Sequence, residues 1–133
     1  MQNERDEVGM IRLLLVDDQP VVRQGLRMRL TLEPDITVVG EASNGREAIT
    51  LVQQLAPDIV LMDVEMPEMD GITATLAMRA SIPQSAVVML SIYDDVSTRA
   101  RAHAAGAAAF VNKSGAIEVL LATIRQAAEQ AKI

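Results

Sequence analysis

The chain has 133 residues and is 50% hydrophobic, enough for one ordinary domain with a core sandwiched between helices. A formal charge of -6, with one Tyr, one Phe and no Trp, excludes a surface that grips phosphate backbones or stacks bases. The lack of cysteine excludes disulfide staples, thiolate catalysis and Cys-ligated metal. Apolar runs far shorter than the roughly 20 residues of a membrane span make the cytoplasm the default location.

Residues 1–10 are charged, lack apolar periodicity and are too polar for a signal peptide, so they read as a flexible leader before a folded unit over 11–131. Ile11 to Val16 is a β-branched and Leu-rich run, interrupted only by Arg12, that delivers Asp17-Asp18 from a strand end. Pro20 suits a first helical turn. Val22, Leu26 and Leu30 follow at a spacing of four with Met28 in the stripe, and this helix is expected to end near Leu32, before Pro34. Ile36, Val38 and Val39 make a short strand. Asn44 and Glu47 form a capping box for the helix carrying Ala48, Leu51, Val52 and Leu55, which Pro57 stops.

Ile59 to Met62 is an unbroken apolar run closed by Asp63, the pattern of a strand buried on both faces with one polar side chain at a sheet edge. Pro67 and Asp70-Gly71 turn the chain into a short helix over 72–80. Ala86 to Leu90 is the next apolar strand and ends at Ser91. Asp94 or Asp95 caps an alanine-faced helix that Gly106 closes. Residues 107–111 form a fifth strand delivering Asn112 and Lys113. Ser114 is expected to cap a last helix with Ile117, Leu120, Leu121, Ile124 and Ala128 on one face. Five strands alternating with five helices call for an α/β fold, a parallel sheet covered on both faces through right-handed crossovers.

In such a sheet the strand ends carrying Asp17-Asp18, Asp63, Ser91 and Lys113 share one edge, where α/β proteins bind ligands. Carboxylates crowded together repel unless a cation sits among them, and oxygen ligands without His or Cys favour a hard ion, Mg²⁺ or Mn²⁺. Lys113 supplies a point donor for a phosphoryl oxygen and Ser91 a hydroxyl. The set fits an aspartyl carboxylate attacking a phosphoryl group.

These four elements, LLLVDD, LMDVEMPEMDG, VVMLSIYDD and FVNKS, resemble the receiver domain of bacterial two-component response regulators over Ile11 to about Gln130. The resemblance implies a flavodoxin-like receiver fold with strand order 2-1-3-4-5. It implies that Asp63 accepts a phosphoryl group from a sensor histidine kinase. Asp17 or Asp18, Asp63 and the backbone carbonyl of Glu65 would hold the metal. Ser91 and Lys113 would contact the phosphoryl group, and Phe110 would be the aromatic that swings inward with the Ser91 hydroxyl. The face made by the fourth helix, fifth strand and fifth helix would then change, making the domain a regulatory phosphoacceptor whose only catalysis is its own phosphotransfer and slow dephosphorylation. Tyr93, two residues past Ser91, with Glu65, is expected to flank the path of the hydrolytic water and tune that dephosphorylation.

DDQPVVRQGLRMRL and SIYDD are most similar to the subfamily whose receivers precede a helix-turn-helix DNA-binding domain, which is absent from this sequence. Transcriptional output through such a domain, with no nucleic-acid or membrane contact by the receiver itself, is the expectation. A homodimer through the first and fifth helices or through the fourth-helix face is equally open. Three positions depart from the family pattern: Ser91 replaces the commoner Thr, Ser114 stands where many relatives have Pro, and Gln19 where close relatives often have His.

Two other classes fit less well. An aspartate-nucleophile phosphohydrolase generally carries a second aspartate two residues after the first, and here that position is Glu65. A receiver-like module that is never phosphorylated would have no need of all these acids and Lys113. Outside the site, the eight methionines read as gap-filling core and His103 as a solvent-facing helical residue.

Overall fold

The computed structural model describes residues 10–81 and 84–131, so apart from Met10 the expected leader lies outside the described residues. In chain order the elements are β1 (Ile11–Val16), α1 (Pro20–Leu30), β2 (Ile36–Ala42), α2 (Gly45–Leu55), β3 (Ile59–Asp63), α3 (Gly71–Ser81), β4 (Ala86–Ser91), α4 (Val96–Ala105), β5 (Ala109–Asn112) and α5 (Ile117–Ala131). The strands form one parallel sheet in the order β2-β1-β3-β4-β5, as expected.

Alternation along each strand divides the core in two. Leu13, Leu15, Ile59, Leu61, Val88 and Leu90 face Leu30 of α1 and Leu120, Leu121 and Ile124 of α5. Leu14, Val16, Val60, Met62 and Met89 face Ala48 and Val52 of α2, Ala74 and Met78 of α3 and Ala102 of α4. Met62, Met78 and Met89 are fully buried and occupy core volume as expected.

The helix ends follow local chemistry. Asn44 Oδ1 accepts the Glu47 N–H at 2.8 Å while Glu47 Oε1 accepts the Ser43 N–H at 2.7 Å, a reciprocal pairing that satisfies two orphan donors. Asp95, rather than Asp94, caps α4 by accepting the Thr98 N–H at 3.1 Å. Gly106 closes that helix in a left-handed conformation at φ 105°.

Four boundaries differ from expectation. α1 ends at Leu30, where Thr31 turns its N–H back to Arg27 O. β2 runs on to Ala42 because a register shift between Leu13 and Leu14 lets it pair along the whole of β1. β5 begins at Ala109, since the Ala107 N–H is taken by Ala102 O in closing α4. Ser114 is not the cap of α5: its N–H donates to Asn112 Oδ1 at 2.8 Å inside a turn, and the helix starts only at Ile117, with Ala116 O accepting from Leu120. Every peptide bond among the described residues is trans, Lys113–Ser114 included.

Gly71 is required by close approach. Its N–H donates to Val64 O at 2.9 Å, and a Cβ there would lie 2.2 Å from the Asp63 carbonyl oxygen and 2.8 Å from Met89 Cε. Gly71→Ala is therefore expected to destabilise the domain by about 3 kcal/mol, read from the midpoint of urea unfolding. An unchanged midpoint would mean that the β3–α3 loop yields freely.

Candidate functional site

Because all five strands run the same way, their C-terminal ends open on one edge of the sheet. Asp17 and Asp18 follow β1, Asp63 is the last residue of β3, Ser91 the last of β4, and Lys113 follows β5. All five come to that edge. Asp17, Asp63 and Ser91 are buried, at 1%, 3% and 0% exposure, which is unusual for polar side chains and marks a built site rather than a solvated rim.

The Lys113 ammonium lies 3.0 Å from Asp17 Oδ2 and 3.0 Å from Asp63 Oδ2, bridging two buried carboxylates. The ammonium points its geometrically aligned hydrogen bond at Asp63, and Asp17 Oδ2, buried beside the same charge, keeps room for a further partner. Asp17 Oδ1 accepts the Gln19 N–H at 2.9 Å, and Asp63 Oδ1 accepts the Glu65 N–H at 3.3 Å. Asp17, Asp18 and Asp63 each offer an oxygen, all within 4.8 Å of one another. Three hard oxygen donors converging in an acidic pocket that one ammonium serves fit a divalent cation such as Mg²⁺.

Burial pushes the Asp63 carboxyl up to about 6; the hydrogen bond and charge of Lys113 pull it down, and the charges of Asp17 and Glu65 push it up again. Burial alone would lower the Lys113 ammonium. Hydrogen bonds and charges from Asp17 and Asp63 outweigh that and hold it above its ordinary value. One ammonium thus serves two carboxylates, and the pocket has a deficit of positive charge. Asp18 and Asp63 border an open cleft of about 810 Å³ whose walls include Val22, Pro67, Ile92 and Tyr93, with Arg101 on the α4 side.

The Ser91 hydroxyl donates to Glu65 Oε2 at 2.7 Å and accepts the Tyr93 N–H at 2.9 Å. Tyr93 itself is 58% exposed on the cleft wall. Phe110, half-buried on β5, has the Arg99 guanidinium 4.7 Å from its ring centroid. Arg99 also pairs with Asp94, and Asp94 accepts from Asn112 Nδ2 at 3.3 Å, so one network ties the β4–α4 loop to β5. His103 is exposed on α4 and outside the carboxylate cluster.

The Glu65–Ser91 and Arg99–Phe110 contacts were not foreseen. No short-range pattern marks them, since Glu65 and Ser91 are 26 positions apart and meet only once β3 and β4 pair. The sole available signal was that a long acid two residues after a strand-end carboxylate hangs over the neighbouring strand end.

The sequence model of the response regulator receiver domain matches residues 13–125. The transcriptional regulatory protein YxjL of Bacillus subtilis is 39% identical over 118 residues, which are 89% of this chain and 54% of that protein. A protein-glutamate methylesterase/protein-glutamine glutaminase of Methanospirillum hungatei is 43% identical over 106 residues, 78% of this chain and 30% of that protein. This chain thus spans about half or less of the length of these curated relatives. Among solved structures, a NarL signal receiver domain from Mycobacterium tuberculosis superposes with a TM-score of 0.85 at 31% identity, covering 90% of this chain and 97% of its own. The response regulator domain of Thermotoga maritima CheB gives 0.84 at 33% identity, covering 90% and 97%. Among the described residues no helix is long and apolar enough to cross a membrane.

Proposed function

This chain belongs to the response regulator receiver domain family, and we propose that it is a phosphorylation-dependent switch in which Asp63 accepts a phosphoryl group from a sensor histidine kinase. The observation that carries the reading is the single lysine shared by two buried aspartates at the end of a parallel sheet. Asp63 carries the nucleophile: a carboxylate oxygen forms a bond to phosphorus as the bond from phosphorus to the donor's imidazole nitrogen breaks, and the imidazole leaves. Asp17, Asp18, Asp63 and the Glu65 carbonyl would hold Mg²⁺ or Mn²⁺. When bound, the ion supplies the positive charge that lets an anionic phosphoryl group approach this acidic pocket.

The phosphoryl group carries nearly two negative charges, about one more than the Asp63 carboxylate it replaces. Lys113 lies within hydrogen-bonding reach of Asp63 Oδ2 and offsets part of that charge. The Ser91 hydroxyl turns to a phosphoryl oxygen and takes with it the Tyr93 N–H that it holds. The strain passes along residues 92–95 to Asp94, and through Arg99 to the ring of Phe110, which moves into the space vacated. The surface of α4, β5 and α5 is then altered, and a partner that prefers one arrangement senses the phosphate. Transcriptional relatives favour a DNA-binding output, with the receiver over residues 11–131 as its regulatory unit.

Incubation with an acyl phosphate and Mg²⁺ tests this. One phosphoryl group per chain is expected, and none when Mg²⁺ is chelated beforehand; steady turnover of phosphate esters without a modified chain would instead favour a hydrolase. Tyr93, on the wall of the cleft, and Glu65 flank the water path to the phosphoaspartate. Tyr93→Ala is expected to speed dephosphorylation severalfold, and an unchanged or slower rate would reject that role.

A further inference from the structure

Glu65 carries a side chain that metal binding through its carbonyl leaves unused. Its Oε2 accepts the Ser91 hydroxyl proton at 2.7 Å, and that hydroxyl is completely buried. A serine hydroxyl has one proton to donate. In the switch described above, the same proton must go to a phosphoryl oxygen on Asp63. Two anionic acceptors thus compete for one donor, and Glu65 holds it in the unmodified protein.

We propose that the Glu65 side chain is a positioning residue that keeps Ser91 in the resting arrangement, so that phosphorylation drives the switch only by the margin over the Glu65–Ser91 bond. The contacts support this division of labour. Ser91 is fixed from three sides: by Glu65 on the hydroxyl proton, by the Tyr93 N–H at 2.9 Å on the hydroxyl oxygen, and by the Lys113 N–H at 2.9 Å on its carbonyl. Only the bond to Glu65 blocks donation to a phosphoryl group, because the other two leave the hydroxyl proton free. Glu65 is partly exposed, so its carboxylate is rehydrated once released and the resting bond is reversible. The β3–α3 loop is thereby coupled to the β4–α4 loop before any phosphate arrives, and the length of one acidic side chain sets the threshold.

This inference rests on the phosphoryl-switch reading, and beryllofluoride with Mg²⁺, a phosphoryl mimic, separates the two. Its affinity is measured for the parent chain, Glu65→Ala, Ser91→Ala and the double variant. Glu65→Ala is expected to bind about tenfold more tightly than the parent, the size of one charge-assisted hydrogen bond removed from the resting state. Part of any gain comes from removing a negative charge. In the Ser91→Ala background, which keeps that charge effect and lacks the contested proton, the gain should shrink to twofold or less. Glu65→Asp, which keeps the charge and loses the reach, should bind nearly as tightly as Glu65→Ala. An equal gain in both Ser91 backgrounds, or parent-like affinity for Glu65→Asp, would reduce Glu65 to a background charge and overturn the inference alone. A parent chain that binds no beryllofluoride would overturn the switch reading and the inference with it.

Discussion

Asp63→Asn protein is expected to take up no phosphoryl group from an acyl phosphate in Mg²⁺, and to be more stable than the parent chain in metal-free buffer at neutral pH. The first result follows from chemistry: an amide oxygen is a poor nucleophile, and among the described residues no other carboxylate combines a strand-end position with direct contact to Lys113 and an open cleft. Asp17 also touches Lys113, but it is the more buried, lies outside the lining of the cleft and is held by Gln19. The second follows from linkage. The Asp63 proton is held up to about 6 in the fold, against about 3.9 in an unfolded chain. The native state therefore binds more protons between those values, stability falls as pH rises through that window, and the cost persists at pH 7. A neutral isostere removes it, with a gain of roughly 1 kcal/mol after screening by water in the open cleft, or about 3–6 °C in thermal midpoint. Retained labelling would transfer the acceptor role elsewhere, and a lowered midpoint would contradict the account of the pocket's charge.

Lys113→Ala should produce the opposite change in stability. It leaves the buried carboxylates of Asp17 and Asp63 without their ammonium, and breaking a buried pair on one side is far more costly than the pair itself is worth. A loss of about 3 kcal/mol in metal-free buffer is expected. The folded pKa of Lys113 is raised, so its contribution is fully present at neutral pH and is lost only as pH rises through the folded value. Millimolar Mg²⁺ should restore part of the lost stability, because a cation among Asp17, Asp18 and Asp63 replaces the missing charge. Urea midpoints with and without Mg²⁺ measure both effects. A variant as stable as its parent, or indifferent to Mg²⁺, would mean that the pocket carries less charge strain than its geometry implies.

The sheet was legible because its strands, buried on both faces, are written as apolar runs that end abruptly in Asp17, Asp63 and Ser91. Parallel order then brings those ends together, which is why Lys113, 50 positions from its partner Asp63, needed no contact information to be assigned to the same edge. Caps were legible where a side-chain oxygen and the N–H that donates to it lie three apart, as at Asn44, and at Asp95 as one of two candidates with Asp94. They failed at Ser114, whose neighbour Gly115 prolongs the turn so that the cap position falls to Ala116. The extension of β2 depends on a bulge in its pairing with β1, and its solvent-exposed edge demands less hydrophobic sequence than the central strands. Contacts made through long side chains, Glu65 to Ser91 and Arg99 to Phe110, belong to the assembled sheet and have no local signature.

The identity of the modified atom tests the switch most directly. The chain is treated with an acyl phosphate in Mg²⁺, any acyl phosphate formed on the protein is reduced with borohydride, and the site is located by tandem mass spectrometry. The account predicts that Asp63 alone is converted to homoserine and that omission of Mg²⁺ abolishes the conversion. Conversion at Asp17, Asp18 or Glu65 with Asp63 untouched, or none at all under conditions that preserve the fold, would contradict it.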